Sequence, residues 1–339
     1  MLKYGVVDGK QHFVFANRPT AYNFMSLIRQ DWLDKVGMKM PTNLTEYKAV
    51  LKAFKDNKLG GEGTIPATMA LPSAYYNAAG YRSFPQDEKE KALYSDLSVA
   101  ALSWEPVKKA IKDQNEMYNA GLLSPNFALD ADGSKAKADF LNGVAGVYGA
   151  YMVKEGIVDV LLKNVPDAKV AYLPMTAGVP EGGYPQTRGY WPFGMIIGFN
   201  TASSDDELTA TWMLLEWMSQ PENLFTLQNG IEGKTYTLGA DGLPVAIADY
   251  KGDDRLNYNS NKDMYCLVIE GKDYGSEEKN LTVQKNTFGP IGYENLIMDA
   301  FNDTKANLKY QYTDFLFDTA IKSLSDNKAT LLEKWQEYY

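Results

Sequence analysis

A chain of 339 residues has room for about two domains, and 45% hydrophobic with 23% charged residues is ordinary globular composition. A formal net charge of -9 excludes the basic face that nucleic acid requires and the polybasic patch of a membrane-surface protein. One histidine, His12, and one cysteine, Cys266, leave no internal disulfide, no CxxC pair and no material for an HExxH helix or a His-based triad.

Val6 to Phe15 reads as two strand edges around an Asp8-Gly9 turn. After Arg18-Pro19 an apolar run, Tyr22 to Ile28, ends on Arg29-Gln30-Asp31 and passes into a short helical turn that stops at Gly37 and Pro41. Asn43 and Glu46 have capping-box spacing, and Tyr47, Val50, Leu51 and Phe54 behind them share one helical face. Val107, Ala110, Ile111, Met117 and Tyr118 form a second stripe, stopped by Gly121. Ser134 opens a short helix ending at Gly143, and Val144 to Tyr151 is a strand of small apolar residues.

Ala168 to Pro174 and Gly194 to Asn200 are further strands. Ser204 with Glu207, and then Ser219 with Glu222, predict two capping boxes in succession. Lys251 to Lys262, rich in Asp, Asn and Lys, reads as a surface excursion, and Cys266 in Tyr265 to Ile269 as a small buried hydrophobe. Tyr312 to Tyr339 reads as two helices broken near Ser323 to Asp326. Strands alternating with helices predict an α/β layered protein, and no run of about eighteen apolar residues is present to span a membrane.

The run Ser26 to Lys35 closing at Gly37 and Pro41 resembles the most recognisable segment of extracellular solute-binding protein family 1, the carbohydrate receptors of bacterial ABC importers. Three later segments match that family in order: Lys137 to Gly149, Gly194 to Asn200 with Ser204 to Glu207, and Gly230 to Thr237. The resemblance is strongest to the family's large lipoprotein branch, with maltose-binding protein a distant relative. It implies a two-lobe periplasmic-binding-protein fold of the larger, double-crossing type, with the first lobe incomplete in this chain. Residues 1–20 would end that lobe and cross over, and 21–190 would form the second lobe. Residues 191–240 would return to the first, and 241–339 would be mixed. Family members begin with a signal peptide, a lipid-modified Cys and about a hundred residues of first lobe, so this chain is expected to start where that lobe ends.

The implied function is capture of a sugar without chemistry on it, with permease subunits as partners, a monomeric state, and a lipid tether outside the cell. A sugar offers hydroxyls at its rim and C–H groups on its faces, which forked polar side chains and aromatic plates recognise; the 23 tyrosines supply such plates. Arg18, Tyr22 and Asn23 fall on the crossing segment, and Tyr75 and Tyr76 in a loop after Pro72. Tyr148 and Tyr151 end the small-residue strand, and Arg188, Tyr190 and Trp191 precede the second crossing. The bland readings are an ion pair for Arg18, hinge packing for Arg188, Tyr190 and Trp191, and core packing for the tyrosines. Glu232 reads as a helix cap or a partner for Lys.

No cofactor or metal is expected. Asp56 to Gly63 is too poor in alternating oxygen donors for a calcium loop, and in Asp130-Ala131-Asp132-Gly133 the glycine comes too early. The alternatives are a glycan-cleaving enzyme using a carboxylate pair and a surface adhesion domain. Nucleotide binding has no glycine-rich signature.

Overall fold

Asp8 and Gly9 sit at φ 50° and 77°, the left-handed geometry that a two-residue hairpin turn demands. They join β1 (Val6–Val7) to β2 (Lys10–Gln11) in an antiparallel pair. The computed structural model describes residues 5–17, 24–68, 105–130, 132–151, 157–181, 185, 188–189, 193–247, 274–288, 292–310, 312–313 and 322–338.

β3 (Phe13–Asn17) and β4 (Phe24–Arg29) follow, and β4 runs directly into α1 (Gln30–Val36). Gly37, at φ 65°, closes α1 with its N–H donated to Asp34 O. α2 (Leu44–Asp56) starts at Asn43, whose side chain accepts the Glu46 N–H at 2.9 Å. Glu46 returns its carboxylate to the Thr42 N–H at 2.8 Å, one residue earlier than a capping box requires. Then come α3 (Glu105–Asn119), α4 (Ser134–Leu141), β5 (Val147–Tyr151), α5 (Val158–Asn164), β6 (Val170–Leu173), β7 (Arg188–Gly189) and β8 (Phe193–Gly198). After these lie α6 (Asp205–Ser219), α7 (Pro221–Asn229), β9 (Tyr236–Leu238) and β10 (Pro244–Ala246). The chain ends with α8 (Glu277–Phe288), α9 (Asn295–Ala306), β11 (Tyr312–Thr313) and α10 (Lys322–Tyr338).

One expectation is corrected. Ser219 does not cap α7: its hydroxyl donates to Glu216 O at 2.8 Å as the last residue of α6, and α7 starts from Gln220 with no side-chain cap. Pro221 at the first helical position sets that start instead, since its fixed φ is helical and its missing N–H would have had no partner there. Of the two helices expected over Tyr312 to Tyr339, the second is α10, which starts at Lys322, while Tyr312–Thr313 is a strand and residues 314–321 lie outside the described residues. Ser323 to Asp326 fall in the first turn of α10, where the Asn327 amide donates to Ser323 O at 2.7 Å. Lys251 to Lys262 and Cys266 lie outside the described residues.

The chain divides into two units: 1–20 with 190–298, and 21–189 with 299–339. The second is built on the antiparallel sheet β5-β4-β6. β4 is its centre, so Leu27 and Ile28, on opposite faces, are both fully buried, and Ile28 packs in one core with Trp32 and Leu33 of α1 and Tyr47, Leu51 and Phe54 of α2. Trp32 meets Phe54 edge-on at 5.2 Å. Burial of side chains this large is worth roughly 1.5–3 kcal/mol each. Gly146 admits the close approach: a Cβ there would lie 2.7 Å from both rings and 2.8 Å from Pro66 O. In the same unit the Tyr172 hydroxyl donates to Asp303 of α9 at 2.8 Å, and the Met175 N–H reaches the same carboxylate oxygen at 2.8 Å.

The first unit contains the antiparallel pairs β3–β8 and β9–β10. Thr235, fully buried, donates to Asn229 O at 2.6 Å and accepts the Ile231 N–H at 2.7 Å, which closes the Gly230 to Gly233 turn. Glu232 in that turn is exposed.

Candidate functional site

The strand that pairs with β5 ends in a buried ion pair. Arg29, where β4 becomes α1, donates Nε and Nη2 to the two oxygens of Asp31 at 2.7 Å each, a forked geometry that fixes both side chains. Its guanidinium lies 5.0 Å over the Trp32 ring. The Lys169 N–H adds a bond to Asp31 at 3.1 Å. Burial by itself would raise the Asp31 pKa. The Arg29 and Lys169 hydrogen bonds, with the charges of Arg29 and Lys35, outweigh it and hold the carboxyl below the usual aspartate range. This pair locks β4 to the turn before β6 and is structural.

On that locked sheet β5 pairs with β4, Tyr148 opposite Leu27 and Tyr151 opposite Phe24. The segment before β5 is held from its other side: Gly146 N–H donates to Ile65 O at 2.9 Å, and Thr68 N–H to Val147 O at 2.9 Å. Tyr148 is half-buried, its ring stacked on Phe140 of α4 with centroids 5.3 Å apart and planes at 22°. Phe140 is fully buried, so one face of the Tyr148 plate is backed by the core.

The helix carrying Phe140 is pinned at its start by Asp130. Its two oxygens accept the Lys135 N–H at 3.0 Å and the Ala136 N–H at 2.8 Å, and Asp132 accepts the Ser134 N–H at 3.0 Å. Asp130-Ala131-Asp132-Gly133, a poor metal loop, is thus a helix start: aspartates here satisfy the free amides and meet the positive end of the helix dipole. Burial raises the Tyr148 phenol pKa, and the Asp130 charge raises it further. The phenol therefore stays a protonated donor.

Of the expected site residues, only Tyr148 has a described side chain. Tyr151 and Arg188 are placed by backbone: Tyr151 at the end of β5, Arg188 opposite Tyr312 in the parallel pair β7–β11. A strand alternates faces with a period of two, so positions 148 and 151 do not share one. Arg18, Tyr22, Asn23, Tyr75, Tyr76, Tyr190 and Trp191 lie outside the described residues. Asp130 is the addition. Its signal in the sequence is Asp-x-Asp-Gly-Ser ahead of an amphipathic helix, a capping pattern. Among the described residues no group of three or more His, Cys, Asp or Glu is placed to hold a metal ion, and no helix is long and apolar enough to cross a membrane.

No protein-family model matches the chain. It is similar to Lipoprotein LipO of Bacillus subtilis (strain 168), 25% identical over 338 residues, covering 91% of this chain and 64% of LipO. It is also similar to the polygalacturonan/rhamnogalacturonan-binding protein YtcQ of the same organism, 26% identical over 153 residues, 43% of this chain and 30% of YtcQ. Among solved structures, alginate-binding protein AlgQ2 superposes over 97% of this chain and 67% of its own, with a TM-score of 0.62 at 17% identity. The resemblance to solute-binding protein family 1 holds.

An HMO-binding, ABC-transporter-associated solute-binding protein from Bifidobacterium longum infantis shares the fold over 98% of this chain and 76% of its own, with a TM-score of 0.55 at 14% identity. The α/β fold is therefore that of the two-domain sugar-binding proteins. These relatives are named as binding proteins or as a lipoprotein, not as enzymes. The chain spans less than two thirds of the length of either Bacillus relative.

Proposed function

We propose that this protein is the extracellular solute-binding subunit of an ABC importer, which closes around a sugar or oligosaccharide and delivers it unaltered to the permease. The observation that carries the reading is the fold likeness to AlgQ2 across 97% of the chain. The Tyr148 plate supports it, with one face backed by Phe140 and the phenol held as a donor. A ring half-exposed over a buried ring offers the flat apolar surface and polar rim that sugar recognition uses. Arg18, Tyr22, Asn23, Tyr75, Tyr76, Arg188, Tyr190 and Trp191 complete the proposed ligand shell; Tyr151, on the other face of β5 from Tyr148, is left out of it. By likeness to LipO the protein is tethered by lipid at the cell surface, and it acts as a monomer.

Binding at roughly micromolar strength, about -8 kcal/mol, suits such a receptor. Titration calorimetry against neutral oligosaccharides, uronates and dipeptides tests the reading, with chromatography of the recovered glycan. Saturable binding of a sugar with the glycan intact is the expected result, and Tyr148→Ala is expected to weaken it by roughly tenfold. Release of shortened products would instead establish the glycan-cleaving enzyme. Absence of any saturable ligand would defeat both.

A further inference from the structure

Two asparagine-glycine pairs stand at helix ends, and the fold treats them in opposite ways. Asn142-Gly143 follows α4, and Asn229-Gly230 ends α7. Asn229 is 2% exposed, and its side-chain amide donates to Phe225 O at 3.0 Å and to the Tyr274 hydroxyl at 3.3 Å. Asn142 is exposed, and among the described residues nothing holds its side-chain amide. Position 143 calls for glycine: φ is 74°, and a Cβ there would lie 2.6 Å from Val165 Cγ2. The glycine that this turn requires also leaves its own nitrogen unhindered, next in the chain to the Asn142 side chain.

We propose that Asn142 is a site of spontaneous modification, where asparagine converts to aspartate and isoaspartate, and that the fold protects Asn229 from the same reaction. The Gly143 nitrogen gives its proton to solvent base and attacks Asn142 Cγ. A nitrogen–Cγ bond forms, the Cγ–Nδ2 bond breaks, and the amide nitrogen leaves as ammonia, taking a proton from water. Water then opens the resulting succinimide at either carbonyl; nothing is oxidised or reduced. The step needs one local opening, because the Gly143 N–H donates to Phe140 O at 2.9 Å. That bond lies at a helix end beside an exposed residue, and such segments open at far smaller cost than buried ones. The Gly230 N–H is held too, by Thr226 O at 2.7 Å, but there both the asparagine and the glycine are buried.

The consequence falls on α4. Isoaspartate lengthens the main chain in a turn whose next amides, Val144 and Ala145, both donate to Asp139 O. Either product puts a negative charge at the C-terminal end of the helix, where the dipole disfavours it. α4 carries Phe140, on which Tyr148 is stacked, so conversion is expected to loosen that contact. What the protein binds plays no part in this proposal.

The test incubates the intact protein in mildly alkaline buffer beside a sample held unfolded in urea, and follows both asparagines by peptide mapping with tandem mass spectrometry. In the folded protein conversion is expected to be at least about tenfold faster at 142 than at 229, since the buried site reacts only through a larger opening. In urea the two rates are expected to converge. Equal rates in the folded protein, faster conversion at 229, or an intact 142 over a time in which the urea sample reacts would each overturn the proposal. Asn142→Gln keeps an amide at the position but would have to close a larger ring, so that variant is expected to stay intact there. The melting temperature of aged wild type is expected to fall below that of equally aged Asn142→Gln. An unchanged melting temperature in a sample converted at 142 would overturn the link to α4.

Discussion

α2 and α6 begin alike and end differently. Each starts on a polar side chain that accepts the N–H three residues on: Asn43 to Glu46 at 2.9 Å, Ser204 to Glu207 at 3.3 Å. Only the second is a full capping box, with Glu207 returning to the Ser204 N–H. Yet α2 buries Leu44, Tyr47, Val50, Leu51 and Phe54, whereas among the described residues of α6 only Met218 is buried. Trp212, Met213, Leu214 and Trp217 of α6 are 44%, 65%, 49% and 51% exposed. Half-buried Phe199 stacks on Trp212 with ring centroids 4.9 Å apart. A cap decides where a helix starts; the face it buries decides what its place in the fold is worth.

The sharpest break of that contrast is Trp32→Ala. Trp32 is fully buried against Phe54 and Arg29, in the core that α2 helps to form. Removing its ring is expected to cost about 3–5 kcal/mol, through lost transfer energy and the cavity left behind. Chemical denaturation monitored by far-ultraviolet circular dichroism measures it. The unit comprising 21–189 and 299–339 should melt first, and a loss below about 1 kcal/mol would show that the core can repack around the missing ring.

Asp31→Ala comes next. It leaves Arg29 buried with no carboxylate, and losing one partner of such a pair costs about 3–5 kcal/mol, reduced here because the Lys35 side of Asp31 is open to solvent. The pH dependence has a fixed sign. The folded-state pKa of Asp31 is lowered, so its contribution is present above the unfolded value near 3.9 and is lost as pH falls through the lower folded value. Acid unfolding of the wild type should therefore steepen below about pH 4, and the Asp31→Ala protein should lack that component.

The parts legible in the sequence are those fixed by neighbouring residues. Asp8-Gly9 allows little but a hairpin turn, Gly37 terminates α1 because it can adopt φ 65°, and Ser204 with Glu207 closes its own ring of hydrogen bonds. Ser219 with Glu222 has the same spacing and fails, because Pro221 supplies a better start between them. At the site, Tyr148 was legible as an aromatic in a strand of small residues. Asp130 was legible only as part of a helix start; that the helix it caps then lays Phe140 under Tyr148 is set by packing, which a capping pattern does not reveal.

The mildest change returns to the caps. Ser204→Ala removes the acceptor for the Glu207 N–H and the hydroxyl that donates to the Glu207 carboxylate at 3.1 Å. A lost N-cap costs about 1 kcal/mol. Glu207 is exposed, and its lowered pKa follows from the hydrogen bonds of the Ser204 N–H and hydroxyl; part of that should survive, because the N–H donor remains. The effect should stay local: faster amide hydrogen exchange in the first turn of α6, and no change in the exchange of α2. Protection lost equally in both helices would mean that α6 is tied to the core far more firmly than its exposed Trp212, Met213 and Trp217 allow.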